Sequence, residues 1–152
     1  SKIGYVSQSV FLLDESIKNN IAFGQPVNLI DDKKINNSIN FSQLNKLIKS
    51  LPDGISTNIG ERGLKLSGGQ KQRLAIARAL YFDPEIIIFD EGTSNLDIRT
   101  EEELINTIKN LIRTKTIILI THRLSTLKDC DKIYEVKDFN LKELDKKDIN
   151  FN

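Results

Sequence analysis

The stretch that decides the fold is LSGGQKQRLAIARALYFDPEIIIFDE, residues 66–91. Its first part has the composition of a helix N-terminus that binds an anion, which we expect to be a phosphate. A hydroxyl can cap the helix, glycines let an anion approach the backbone, and unpaired N–H groups favour negative charge. Taken alone, the motif is equally typical of a glycine-containing turn. Its residues are Ser67, Gly68, Gly69 and Gln70.

A helix and a strand are predicted to follow this motif. Leu74, Ala77 and Leu80 recur at intervals of three among good helix formers, and Pro84 ends the pattern, so we expect a helix of about three turns. Residues 86–89 are four consecutive apolar residues, three of them β-branched. Such a run favours a strand that is buried on both faces of a parallel sheet.

Two acids, Asp90 and Glu91, come directly after the predicted strand. Ligands in open α/β sheets bind outside the carboxyl ends of the strands, so these carboxylates are suited to a hydrated Mg²⁺ and to an attacking water. A core strand that runs into a solvated loop would give the same local pattern. The two acids therefore indicate a metal site only when they are considered together with the preceding helix and its SGGQ motif.

Two more polar residues follow predicted strands. Gln8 comes after a short strand at 3–6, where its amide oxygen can ligate Mg²⁺, although a surface glutamine is the ordinary alternative. His122, the one histidine in the sequence, follows a second predicted buried strand at 116–120 as Glu91 follows the first. We therefore expect His122 and Glu91 to reach one crevice.

Other segments show helical or strand periodicity. Apolar residues between 31 and 51 recur at helical spacing with a polar interruption at 40–43, which predicts two short helices. Residues 123–136 indicate a short helix and a third strand, and residues 138–152 form a charged tail to which the pattern assigns no function. A longer helix is predicted after 92–97, with a buried stripe at Leu104, Ile105, Ile108, Leu111 and Ile112.

Composition bounds the class of protein. A length of 152 residues predicts one domain, and 22 basic against 21 acidic residues give no reason to expect a nucleic-acid surface. The single cysteine, Cys130, cannot form an internal disulfide, which is consistent with a reducing compartment. No apolar run approaches the roughly 20 residues that span a bilayer. The sequence starts without a methionine, and we expect it to be an excerpt of a longer protein.

The SGGQ motif, the helix and the IIIFDE segment together closely resemble the signature motif and Walker B segment of ATP-binding cassette (ABC) proteins. Residues 5–24, YVSQSVFLLDESIKNNIAFG, resemble the Q-loop region of exporter-type cassettes, whose following residues touch transmembrane helices. The resemblance implies that Phe11, Leu12 and Leu13 make this contact.

The resemblance also covers two loops. It identifies His122 as the H-loop histidine. It identifies Asp97 as the D-loop aspartate, which communicates between two nucleotide sites across a dimer, although Asp97 can also simply cap a helix. Gly92 and Asn95 stand where the family more often has alanine, which predicts a more mobile loop.

The fold implied by the resemblance is α/β: the P-loop NTPase-like parallel sheet of an ABC ATPase, flanked by helices, with an α-helical subdomain. The chain would be a partial domain over 1–152, incomplete at its N-terminus. The helical subdomain with the signature motif would occupy about 25–80, the α/β core would include 1–10 and 84–137, and the charged tail would follow at 138–152. The sequence contains no G-x-x-x-x-G-K-[ST] loop, so we expect the Walker A motif upstream and no ATP hydrolysis by residues 1–152 alone.

The function implied by the resemblance is ATP hydrolysis that drives export, with ATP and Mg²⁺ as cofactors. Asp90 would hold Mg²⁺ through water, Glu91 would polarise the attacking water, Gln8 would orient metal and water, and His122 would contact the γ-phosphate. The signature residues would reach ATP held by a second nucleotide-binding domain, as a homo- or heterodimer. A transmembrane domain would be the other partner, at the cytoplasmic face of the cell membrane, with this segment itself soluble.

Two alternatives share parts of this pattern. A chromosome-maintenance or repair ATPase head has the signature and Walker B motifs but inserts a long coiled coil between them. Only 57 residues lie between Gln8 and Leu66, without a heptad run. A degenerate regulatory cassette would bind partners without turnover, but the sequence retains Gln8, Asp90, Glu91 and His122, which argues against it.

Overall fold

The computed structural model of this chain describes residues 2–91, 98–112 and 114–151, and within 98–112 it describes the side chains at 102, 105–109, 111 and 112. In the described residues, one strand and four helices come before residue 81, and four strands with two more helices follow. The strands are β1 (Ile3–Val6), β2 (Ile86–Asp90), β3 (Thr116–Ile120), β4 (Ile133–Lys137) and β5 (Asn140–Leu144). The helices are α1 (Ile17–Ile21), α2 (Asp32–Phe41), α3 (Asn45–Ser50), α4 (Gly68–Leu80), α5 (Ile98–Ile112) and α6 (Leu124–Leu127).

A parallel sheet with the order β1-β2-β3 forms the α/β part of the fold. Val6 pairs with Phe89, and Asp90 pairs with Ile120, so the carboxyl ends of the three strands meet at one edge. Parallel neighbours need crossover connections, which here run through α1–α4 between β1 and β2 and through α5 between β2 and β3. The predicted α/β architecture with a parallel sheet is confirmed.

The helix predicted after the SGGQ motif is α4, with 13 residues. Ser67 caps it in a capping box: the Ser67 hydroxyl oxygen accepts from the Gln70 N–H, and the Gln70 side-chain oxygen accepts from the Ser67 N–H at 2.8 Å. The helix ends before Asp83, whose backbone is left-handed with φ 49°, and Pro84 follows. Residues close in sequence therefore start and stop this helix where it was predicted to start and stop.

Two apolar clusters meet on α4. Leu74 and Ala77 join the cluster built from α1, α2 and the segment around Leu12, whereas Ile76 and Leu80 join the cluster of the parallel sheet and α5. The two short helices predicted between residues 31 and 51 are present as α2 and α3, and both contribute side chains to the first cluster. Helix α4 therefore packs against both the helical part and the α/β part of the fold.

The strands of the parallel sheet are less buried than predicted. In β2 only Ile87 and Phe89 are buried, while Ile86 and Ile88 are half-buried, and in β3 no residue is fully buried. Helices α4 and α5 pack against one face of the sheet, and alternate side chains point to the other face. The expectation of strands buried on both faces is therefore wrong for the described residues. On the predicted stripe of α5, Ile108 and Leu111 are buried but Ile112 is exposed.

The charged tail contains a strand that the sequence analysis did not predict. The third predicted strand is present as β4, but it pairs antiparallel with β5, which lies inside the tail. Asp138 and Phe139 form the turn with φ values of 49° and 61°. A two-residue turn with both φ values positive matches the twist of a hairpin and usually contains asparagine or glycine. Because Asp138 and Phe139 stand here instead, the sequence carried no clear signal for the turn or for the strand after it.

Gly4 provides a test of the contact between β1 and α4. A Cβ atom at this position would lie 2.9 Å from the Ala79 backbone oxygen and 3.0 Å from Pro84 Cγ. We expect Gly4→Ala to lower the free energy of unfolding by about 1–3 kcal/mol, the usual cost of overpacking. Denaturant unfolding measures this. Gly68→Ala is the control, because a Cβ there meets no atom within 4 Å. Equal effects of the two substitutions would contradict the proposed close approach.

Candidate functional site

The carboxyl edge of the parallel sheet brings three predicted site residues together. Gln8 follows β1, Glu91 follows β2 and His122 follows β3 by two residues. The Gln8 side-chain amide donates to Glu91 Oε2 at 2.6 Å, and His122 Nδ1 lies 3.4 Å from Glu91 Oε1. Each oxygen of the Glu91 carboxylate therefore faces one of the two other residues. An acid held in this way is suited to accept a proton from, or orient, a water molecule.

The backbone of Glu91 is unusual. Its φ is 47°, in the left-handed region that a glutamate rarely adopts, and its N–H donates to the Ile120 carbonyl at 2.8 Å. That bond extends the pairing of β2 with β3 by one residue and fixes the strained conformation. Backbone strain of this kind costs on the order of 1–3 kcal/mol and concentrates at functional sites.

Asp90 lies at the same edge but has a different partner. The Tyr5 hydroxyl donates to Asp90 Oδ2 at 2.5 Å. This hydrogen bond, with smaller contributions from burial and from the Asp90 charge, raises the pKa of Tyr5. No sequence motif marks Tyr5 as a site residue. Strand alternation contains a signal for it, because Tyr5 and Asp90 lie on the same face of adjacent strands.

The side chains at this edge fit a magnesium ion whose remaining ligands are water and nucleotide phosphates. Asp90, Glu91 and Gln8 offer hard oxygen donors, which Mg²⁺ prefers. Among the described residues, no group of three or more histidine, cysteine, aspartate or glutamate side chains is placed to hold a metal. Mg²⁺ is commonly held by one or two carboxylates together with water and substrate phosphates, so this donor set suits a metal–nucleotide complex.

The signature residues line a separate groove of about 200 Å³ at the start of α4. None of the four edge residues Gln8, Asp90, Glu91 and His122 lines it. The groove lies between the start of α4 and the start of α3, together with the two residues before α3. Its lining residues are Ser67, Gly69, Gln70 and Arg73 on one side and Gln43, Leu44, Lys46 and Leu47 on the other.

The chemistry of this groove suits an anion. A helix N-terminus and the cationic side chains of Lys46 and Arg73 favour negative charge. The Ser67 oxygen accepts from the Gln70 N–H and keeps its own hydrogen for another acceptor. A Cβ at Gly68 would meet no atom within 4 Å, so a ligand can approach the backbone there.

The remaining predicted positions are the loop at 92–97 and the partner contact at Phe11, Leu12 and Leu13. Asp97, with Gly92 and Asn95, lies outside the described residues, so its role remains a prediction. Phe11 is 63% exposed and available to a partner. Leu12 is 2% exposed and belongs to the apolar cluster beside α1, so the expectation that it contacts a partner is wrong. Leu13 is half-buried.

Arg78 links α4 to the segment that carries Phe11. Its guanidinium donates to the Phe11 carbonyl at 2.7 Å, to the Asn20 carbonyl at 2.8 Å and to the Asn20 side-chain oxygen at 2.9 Å. Its Cζ lies 4.9 Å from the centre of the Phe23 ring, a cation–π distance. Burial lowers the pKa of Arg78. Sequence patterns do not mark Arg78, because its hydrogen-bond partners are distant in sequence.

The chain matches a family model described as ABC transporter over residues 1–94. It is 43% identical over 133 residues to an ATP-dependent lipid A-core flippase of Cupriavidus metallidurans, covering 87% of this chain and 22% of the flippase. It is 45% identical over 133 residues to the mitochondrial iron-sulfur clusters transporter ATM1 of Yarrowia lipolytica, covering 88% of this chain and 18% of that protein. The chain thus spans about a fifth of these relatives' length.

A solved structure has the same fold. It is a bacterial Atm1-family ABC exporter with ATP bound, and it matches with a TM-score of 0.81 and 40% sequence identity. The match covers 93% of this chain and 25% of the exporter chain. The similarity therefore extends over both the helical and the α/β parts described above.

The Arg78 contacts generate a prediction about stability. Arg78→Met removes three hydrogen bonds from a charged donor while keeping an apolar stem, so we expect the free energy of unfolding to fall by about 2–4 kcal/mol. Arg62→Met at an exposed arginine is the matched control and should change it by less than about 0.5 kcal/mol. Guanidinium unfolding curves measure both. Indistinguishable curves would show that the Arg78 bonds contribute no net stability.

Proposed function

Since this chain belongs to the ABC transporter family, we propose that it is the later part of the ATP-hydrolysing domain of an exporter-like transporter. In the complete protein this domain binds and hydrolyses ATP to drive export of a substrate across a membrane. The observation that carries the proposal is the meeting of Gln8, Glu91 and His122 beside Asp90 at the carboxyl edge of one parallel sheet.

The proposed chemistry assigns one task to each edge residue. Phosphoryl transfer depends mainly on positioning and charge stabilisation. Glu91 orients and polarises the attacking water, and its own orientation is fixed by the Gln8 amide at 2.6 Å. His122, on the opposite oxygen of Glu91, contacts the terminal phosphate. Mg²⁺ bound with the nucleotide would neutralise phosphate charge, and Asp90 is the residue that would hold it, through water.

The signature residues serve a second subunit in this proposal. They line a groove that none of the edge residues lines, so one copy of the chain offers two different half-sites. A symmetric dimer pairs each half-site with its complement and forms two composite nucleotide sites. Ser67, Gly68, Gly69 and Gln70 would bind phosphate held by the other nucleotide-binding domain, and Asp97 would communicate between the two nucleotide sites. The cationic character of the groove supports this assignment.

The second proposed partner is a transmembrane domain, which places this segment at the cytoplasmic face of a cell membrane. No helix in the described part of the chain combines the length and the apolar character needed to cross a membrane. The exposed ring of Phe11 is the contact we propose for this partner. The two apolar clusters support a helical part and an α/β part that share α4, with residues 12–22 packing into the helical part. The bounds we propose are about 25–80 for the helical subdomain, and 1–10 with 84–137 for parts of the α/β core.

Glu91→Gln in the complete protein tests the proposed chemistry. The amide keeps the shape of the side chain but cannot accept a proton, so we expect ATP turnover to fall at least about 100-fold while ATP binding is retained. ATP-bound dimers should accumulate. Phosphate release and nucleotide-binding titrations measure the two effects. Glu85→Gln, at the exposed opposite end of β2, is the control and should keep the wild-type rate. Wild-type turnover in the Glu91 variant would reject its assignment.

Ser67→Arg tests the assignment of the signature groove to a partner's nucleotide. Bulk at the mouth of the groove should block closure of the dimer, so hydrolysis should fall at least about tenfold. ATP affinity of the separated nucleotide-binding domain, complete with its upstream part, should remain within about twofold of wild type, which equilibrium titration measures. Ser50→Arg, at the exposed end of α3, controls for added charge. A parallel loss of affinity in the monomer would mean that Ser67 binds nucleotide in its own subunit.

A further inference from the structure

Tyr5 occupies a position from which it reaches the metal-binding acid of the proposed site. It lies on β1 opposite Ile88, and Asp90 is two residues further along β2 on the same face. The Tyr5 hydroxyl donates to Asp90 Oδ2 at 2.5 Å, a short distance that is typical of a hydroxyl bound to a carboxylate. The bond crosses from one strand to the next and joins residues that are 85 positions apart.

The edge contains a second bond of the same kind. The Gln8 amide donates to Glu91 Oε2, so β1 and the residues just after it supply one donor to each of the two adjacent acids. The two bonds hold Asp90 and Glu91 side by side, each with one oxygen occupied by a neighbour from the β1 strand. The Tyr5 bond is made to Asp90 Oδ2 and not to Oδ1.

Packing among the described residues does not account for the Tyr5 hydroxyl. The Tyr5 side chain lies on the face of the sheet that no described helix covers, and the residue is 54% exposed there. Its neighbours on that face, Ile3 and Ile88, are aliphatic, so a valine or isoleucine would satisfy the strand equally well. The group that distinguishes Tyr5 from such residues is its hydroxyl, and that hydroxyl is bound to Asp90.

We propose that Tyr5 is a positioning residue that fixes the orientation of Asp90 for the magnesium–nucleotide complex. The inference rests on the proposed function and extends it by one residue. Asp90 is only half-buried, so its side chain has several rotamers available, and a hydrogen bond from a rigid ring on the next strand selects one of them. The metal complex then binds a carboxylate that is already oriented, so less ordering is needed on binding.

The test uses the complete protein with Tyr5→Phe, which removes the hydroxyl and keeps the ring. ATP hydrolysis is measured against Mg²⁺ concentration at constant ATP. We expect the half-maximal Mg²⁺ concentration to rise about three- to tenfold, the change that loss of one hydrogen bond produces, while the rate at saturating Mg²⁺ stays within about twofold. Tyr134→Phe is the matched control, because Tyr134 is 46% exposed and lies on β4 of the separate hairpin.

A binding measurement separates positioning from a general structural effect. ATP affinity is determined by calorimetry with Mg²⁺ and again with EDTA. In Tyr5→Phe the affinity with Mg²⁺ should fall about three- to tenfold relative to the affinity with EDTA, with no change in the melting temperature of the nucleotide-free protein. An unchanged Mg²⁺ requirement would overturn the proposal. A lowered requirement would also overturn it, because Tyr5 would then compete with the metal.

The same experiments distinguish the failure of this inference from failure of the proposed function. A wild-type protein that binds Mg-ATP but does not hydrolyse it would reject the ATPase assignment. The ratio of affinities with and without Mg²⁺ would still decide the role of Tyr5, since it requires no turnover. A ratio in Tyr5→Phe equal to that of Tyr134→Phe would reject the positioning role.

Discussion

Parallel pairing of β1, β2 and β3 is the constraint on which the proposed site depends. The register that sets Val6 beside Phe89 and Asp90 beside Ile120 also sets the loops after the three strands beside one another. Gln8, Glu91 and His122 come from these loops and meet within hydrogen-bond or ion-pair distance. A shift of one residue in either pair would move the acids away from their partners and reverse the faces of a strand.

Helix α4 connects the parallel sheet to the helical part of the chain. Its residues pack into both apolar clusters, so the helical part and the parallel sheet share one rigid element. Its first turn forms the wall of the signature groove, and Arg78 near its last turn holds the backbone of Phe11 and Asn20. Arg78 therefore joins the backbone beside the exposed Phe11 ring to the helix that carries the proposed phosphate-binding residues.

Among the described residues, helices cover only one face of the sheet, and this accounts for the half-buried residues of β2 and β3. Apolar runs in β2 and β3 predicted burial on both faces, but a run of β-branched residues reports only suitability for burial. In the described residues, helices cover the face of Ile87 and Phe89, and the face of Tyr5 and Ile118 is largely exposed. On that face the Tyr5 hydroxyl reaches Asp90, because strand register and alternation set the two side chains on the same side of the sheet.

The sequence by itself determined the elements whose cause is local. The capping residue Ser67 and the stop at Pro84 set the ends of α4, and the acids after an apolar run marked the end of β2. Tertiary structure alone decided which side chains meet, because strand order, register and helix packing fix the distances between residues far apart in sequence. The bonds of Tyr5 to Asp90 and of Arg78 to Phe11 belong to this second group, since each joins residues more than 60 positions apart.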